Sequence, residues 1–180
     1  MPRLFVSISL PEIVSDALLQ LQSGLDGANW RSQDHFHLTL AFIGEVDRHG
    51  LEEAASALES ISPPSFELTL KGAGSFGGSK PRAVWLGCGE SQNLDHLQEK
   101  VGNGLRRADF KLEKRRFIPH VTLAYLKHVP QTDVEAWCAM HGLFSIGPFP
   151  VREFHLVESL TGGDASHYET LESYPLSFSK

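Results

Sequence analysis

The sequence predicts an α+β protein built as two similar halves around one shared groove. Three observations lead there. A ten-residue stretch occurs twice, as HLTLAFIGEV from His37 and as HVTLAYLKHV from His120, 83 residues apart in a chain of 180. Five of its ten columns are identical, and most others are swaps of similar shape, such as Phe for Tyr. Strand-like alternation and helical spacing also take turns along the chain, giving roughly two β-α-β units around each repeat. Finally, 41% hydrophobic and 21% charged residues is the balance of a folded globular chain, which excludes disorder. Duplication is the simplest source of this pattern, each half contributing one motif strand to the groove.

The segments follow in order. The stretch from Leu4 to Leu10 alternates and is rich in Phe, Val and Ile, predicting a strand. Pro11 and Glu12 suit a first helical turn, Ile13, Val14, Ala17, Leu18 and Leu21 continue at helical spacing, and Gly24 stops it. A strand is expected from His37 to Ile43, ended by Gly44, and a helix over Leu51 to Leu58, broken by Pro63-Pro64. Phe66 to Leu70 alternates as another strand. The run GAGSFGGSKPR after it is expected to be a Gly-rich connection, and it lacks the GxxxxGK[ST] pattern of a triphosphate-binding loop. Ala83 to Gly87 predicts a short buried strand. Leu94, Leu97, Val101 and Leu105 mark a long amphipathic helix. His120 to Leu126 is the second motif strand and Val134 to Met140 a short helix. Single closing strands are expected at Phe149 to Val157 and at Tyr168 to Leu176.

Composition narrows the function. The chain carries 16 basic and 22 acidic side chains, a net charge of −6, which excludes a large surface for duplex nucleic acid. A local basic run, KLEKRRF with Lys111, Lys114, Arg115 and Arg116, precedes the second motif. No apolar run approaches the roughly 20 residues that cross a bilayer. The opening MPRLFVSISLPEI lacks the apolar stretch and small-residue cleavage site of a signal peptide. Cys88 and Cys138 stand alone, as reduced thiols do. A cytoplasmic location and a monomer are therefore expected.

The chemistry sits on the polar face of the repeat. Strand side chains alternate, so His37, Thr39 and Ala41 point one way and Leu38, Leu40 and Phe42 the other. His120, Thr122 and Ala124 repeat this against Val121, Leu123 and Tyr125. Phe42 is accordingly expected in the core, while Phe5, Trp30 and Trp85 are open to either core or base-stacking roles. One His-x-Thr carries almost no information, but two in matching strands do. Paired imidazoles with a pKa near 6.5 supply a general base and a general acid at neutral pH. Two threonine hydroxyls donate to anionic oxygens without adding charge. Opening a phosphodiester needs these groups on opposite sides of phosphorus, with fixed donors for the equatorial oxygens.

At these residues the chain resembles the 2H phosphoesterase superfamily, through His37-Leu38-Thr39-Leu40 and His120-Val121-Thr122-Leu123. Within it the chain most resembles the RNA 2′,3′-cyclic phosphodiesterases of the 2′-5′ RNA ligase family. The likeness includes RLFVSISLP, HFHLTLAFIGEV, FELTLKGAGSFGGSKPRAVWLG, RRFIPHVTLAYLK and ESLTGGDASHYETLESYPL. The resemblance implies one domain over residues 1–180, made of two intertwined lobes. Two mostly antiparallel sheets would flank a central cleft, with helices outside. It implies hydrolysis of a terminal 2′,3′-cyclic phosphate on RNA or a nucleotide to a 2′-phosphate, with no metal or other cofactor, and in some members 2′-5′ ligation. It makes His37 and His120 catalytic and Thr39 and Thr122 phosphate contacts. A first assignment takes His37 as the acid for the leaving 3′ oxygen and His120 as the base, an order the pseudo-symmetry leaves open. Relatives often carry Arg where this chain has Ala41 and Tyr125; Arg115 and Arg116 are the expected substitutes, with Tyr125 a further candidate contact. Two other readings compete: a module that binds nucleotide or an RNA end without turnover, and a metallohydrolase using His35 and His37 on one strand face.

Overall fold

In the computed structural model, residues 1–162 and 165–178 are described. The chain runs β1 (Arg3–Ser9), α1 (Glu12–Leu19), β2 (Ala28–Trp30), a 3-10 turn (Gln33–His35), β3 (His37–Glu45), α2 (Arg48–Glu59) and β4 (Phe66–Phe76). It continues with β5 (Ala83–Cys88), α3 (Gln92–Arg107), β6 (His120–Leu126), α4 (Gln131–Met140), β7 (Ser145–Val151), β8 (Glu153–Gly162) and β9 (Ala165–Pro175). Local chemistry explains the starts. Asp47 caps α2 by accepting from the Gly50 amide at 2.8 Å, and Ser91 caps α3 by accepting from the Leu94 amide at 3.2 Å. Arg106 and Arg107 end α3, where the helix dipole favours positive charge.

The strands form two antiparallel sheets, ordered β3-β1-β8-β9 and β2-β6-β5-β4-β7. The two halves exchange a strand: β4 of the first half pairs with β5 of the second, and β8 of the second pairs with β1 of the first. Each motif strand thus lies beside the opening strand of its own half, β3 on β1 and β6 on β5. One apolar core joins both sheets, containing Leu4, Leu38 and Leu40 from the first and Leu70, Val121 and Leu123 from the second. Helix α3 contributes Leu94, Leu97, Val101 and Leu105, all essentially without solvent contact, and packs on α2, β3 and β4. Replacing such a leucine by alanine costs about 2–5 kcal/mol, so the backs of the motif strands anchor them firmly.

The structure corrects several expected boundaries. The Gly-rich run is not all connection. Strand β4 continues through it to Phe76, stepping over an irregularity between Leu70 and Ala73 where Gly72 has φ +77°. Gly74 lies under the Trp85 ring; a Cβ there would meet the ring at 2.4 Å, so glycine makes room for the indole. The expected strand from Phe149 to Val157 is two strands in two sheets, turning at Arg152 between β7 and β8. β2 was not expected at all. Its three residues are too few to show a period, and it exists because it pairs with β6.

Candidate active site

β3 is the edge of one sheet and β6 lies next to the edge of the other, and the two touch across the gap. Both carry the same distortion. Val6 pairs with Ala41 and Ser7 with Thr39, leaving Leu40 extra; Val84 pairs with Ala124 and Trp85 with Thr122, leaving Leu123 extra. A bulge breaks the two-residue period and turns the strand. This overturns the expected core position of Phe42, which is 62% exposed after its bulge, and Tyr125 follows suit at 50%. The motif aromatics therefore open onto a cleft of about 790 Å³ whose lining includes Phe42, Tyr125, Thr39, His120, Phe76 and Phe117.

The two imidazoles are held alike. The Nδ1–H of His37 donates to the His35 carbonyl at 2.8 Å, and that of His120 to the Ile118 carbonyl at 2.6 Å. With Nδ1 engaged by a carbonyl two residues back, each ring keeps Nε2 for proton transfer. Aromatic rings brace both. Phe5 and Tyr168 stand 4.9 and 5.2 Å from His37; Phe76 and Trp85 stand 4.8 and 5.8 Å from His120. Burial pushes His37 down to about 4, with Arg31, His35 and His120 adding like-charge repulsion and the hydrogen bond to His35 opposing. His120 is lowered too, by burial, against its bond to Ile118. His37 thus senses the charge of His120 across the gap. Burial also raises the Tyr168 phenol.

Thr39 and His120 line the cleft directly, as do Arg115, Arg116 and Tyr125. His37 on β3 is half-buried, and Thr122 is half-buried on β6 opposite Trp85. Arg115 is tied to Glu113, Nε to Oε2 at 2.9 Å, so part of its charge is already answered. The stacking candidates divide: Phe5 is 4% exposed in the core, whereas Trp30 packs on Trp137 at 6.0 Å. The His-x-His reading loses its shared strand, because His35 belongs to the 3-10 turn before β3 and bonds Ser32 at 2.6 Å. Among the described residues no group of three or more His, Cys, Asp or Glu side chains is placed to hold a metal ion, and no helix is long and apolar enough to cross a membrane.

Sequence reasoning missed Arg31. It directly follows β2, and its guanidinium lies 5.2 Å from the centre of the Tyr125 ring and close enough to Tyr168 to act on its phenol. No local pattern marks it, since its place depends on a three-residue strand paired far along the chain.

Two antiparallel sheets that bring a His-x-Thr strand each to a common cleft define a two-histidine phosphoesterase type of fold. Known proteins sharpen that class. The 2′-5′ RNA ligase superfamily matches residues 11–163, and the chain belongs to that family. An RNA 2′,3′-cyclic phosphodiesterase of Thermotoga maritima is 36% identical over 135 residues, covering 71% of this chain and 72% of that protein. One from Archaeoglobus fulgidus is 27% identical over 176 residues, covering 96% and 99%. The crystal structure of Escherichia coli LigT complexed with 3′-AMP superposes with a TM-score of 0.79 at 27% identity, over 98% of this chain and 99% of that one.

Proposed function

We propose that this protein hydrolyses terminal 2′,3′-cyclic phosphates on RNA or nucleotides to 2′-phosphates, using His37 and His120 and no metal. The observation that carries the reading is the matched pair of imidazoles, each locked through Nδ1 to the carbonyl two residues back, on strands that touch across one cleft. Water attacks phosphorus, the P–O3′ bond breaks, and O3′ takes a proton. His120 serves as base for the water and His37 as acid for O3′, with Thr39 and Thr122 donating to the equatorial oxygens. His37 is neutral in the free protein and takes up a proton from solvent as the substrate binds, because the substrate's negative charge raises the proton affinity of a neighbouring imidazole. An RNA hydroxyl in place of water gives a 2′-5′ linkage by the same step.

Arg115, Arg116 and Tyr125 line the way to the phosphate and fit a nucleotide better than a duplex. The exchanged strands support one domain over residues 1–180 with intertwined halves. We place the protein in the cytoplasm, as a monomer acting on RNA 3′ ends. The test is incubation with 2′,3′-cyclic nucleotides in EDTA, separating 2′- from 3′-monophosphate. A 2′ product is expected. Unopened substrate that nevertheless binds would make the protein a binding module, and a reaction abolished by EDTA would require a metal.

A further inference from the structure

We infer that Arg31 is a substrate-binding cation of this cleft, supplied from the residue just after β2 and held ready for the phosphate. The inference deepens the proposed reaction and rests on it for the identity of the anion. Its backbone is clamped in place. The Arg31 amide donates to the Leu123 carbonyl at 2.8 Å, and the Gln22 side-chain amide donates to the Arg31 carbonyl at 2.7 Å and to the Leu123 carbonyl at 3.3 Å. Leu123 is the bulged residue of the second motif, so Arg31 is indexed to the same irregularity that turns β6 toward the cleft.

Its side chain is aimed as firmly. The guanidinium stacks by Tyr125, which lines the cleft, and reaches Tyr168, whose ring stands edge-on to His37 at 5.2 Å. A planar guanidinium against an aromatic face keeps its N–H edges for a second partner. Among the described residues no carboxylate forms an ion pair with Arg31. Arg82, Arg106, Arg115 and Arg116 line the cleft, which Arg31 adjoins through Tyr125, but all four are exposed; Arg106 bonds Asn103 and Arg115 pairs with Glu113. Arg31 alone of these five is half-buried, and it lies close enough to His37 to oppose its protonation. A half-buried cation facing a second site of potential positive charge, with no ion-paired carboxylate among the described residues, is an arrangement completed by an anion. A phosphodiester bridging the motif strands supplies one.

The experiment compares wild type, Arg31→Met and Arg31→Lys, in full-length protein. It reads binding of inorganic phosphate and adenosine 2′-monophosphate by calorimetry, turnover of 2′,3′-cyclic AMP, and thermal unfolding. Loss of one hydrogen-bonded charge contact predicts binding and kcat/KM weakened about tenfold to a hundredfold in Arg31→Met, partly recovered in Arg31→Lys, with unfolding little changed. Unchanged anion affinity and kcat/KM in Arg31→Met overturn the inference, as does a loss matched by an equal fall in unfolding temperature and unrelieved by lysine. Binding is read without turnover. A wild type that binds phosphate through Arg31 but leaves the cyclic nucleotide closed therefore refutes the reaction and supports Arg31.

Discussion

The His37 and His120 halves share a backbone design and differ in surroundings. Both motif strands carry one extra leucine at the same place, and both imidazoles donate Nδ1–H to the residue two before them. Around His37 stand Phe5, Tyr168 and Arg31; around His120 stand Phe76 and Trp85. Both rings are half-buried, and His120 is part of the cleft lining. The difference teaches that the repeated motif orients two rings identically, while non-repeated neighbours make them unequal as acids.

The strongest way to break the pairing is to remove either ring. His37→Gln and His120→Gln should each lower kcat by about a hundredfold or more, the usual share of general acid–base catalysis. A variant that turns over at the wild-type rate would show that one half suffices. The hydroxyls sharpen the comparison. Thr39→Val and Thr122→Val should cost about tenfold to a hundredfold for a lost donor to charge, with Thr39 the larger because it faces the cleft. Equal losses would place both hydroxyls at the phosphate on the same terms.

The pH profile separates the rings without mutation. Both imidazoles titrate below their ordinary 6.5 in the free protein, His37 at about 4. Because both titrations are lowered, the singly protonated pair lies on the acid side of pH 6.5, so kcat/KM should peak there and fall as pH rises. The kcat profile, read with substrate bound, should peak at higher pH, because the anion favours the protonated ring. Coincident profiles centred at pH 7 or above would remove the inequality. The smallest effect belongs to Arg115 and Arg116. Being exposed, with one already paired, their joint replacement by alanine should raise KM only about twofold to fivefold in ordinary salt. A larger rise would shift the anion contact from β2 to this loop.

Much of this was legible in the chain. The repeat marked both motif strands, and Leu38 and Val121 fall on the buried face that alternation assigns them. The two motif strands touch, and Thr39 and His120 line one cleft. Phe42 went wrong because a bulge interrupts the alternation, and a bulge is a property of a strand pair rather than of one strand. The Gly-rich run went wrong because Gly72 and Gly74 serve a strand, one by its positive φ and the other by leaving space for Trp85.

By itself the sequence determined most of the helices and strands, the buried backs of the motif strands and the candidate site side chains on their other face. Those depend on a residue and neighbours within one turn or one pleat. Only the tertiary structure decided the exchange of β4 and β8, the opening of Phe42 and Tyr125 onto the cleft, and the arrival of Arg31 beside His37. Each of these is set by which distant strands pair and in what register. The free energy that selects a register comes from packing whole sheet faces together, so no short window of the chain contains it.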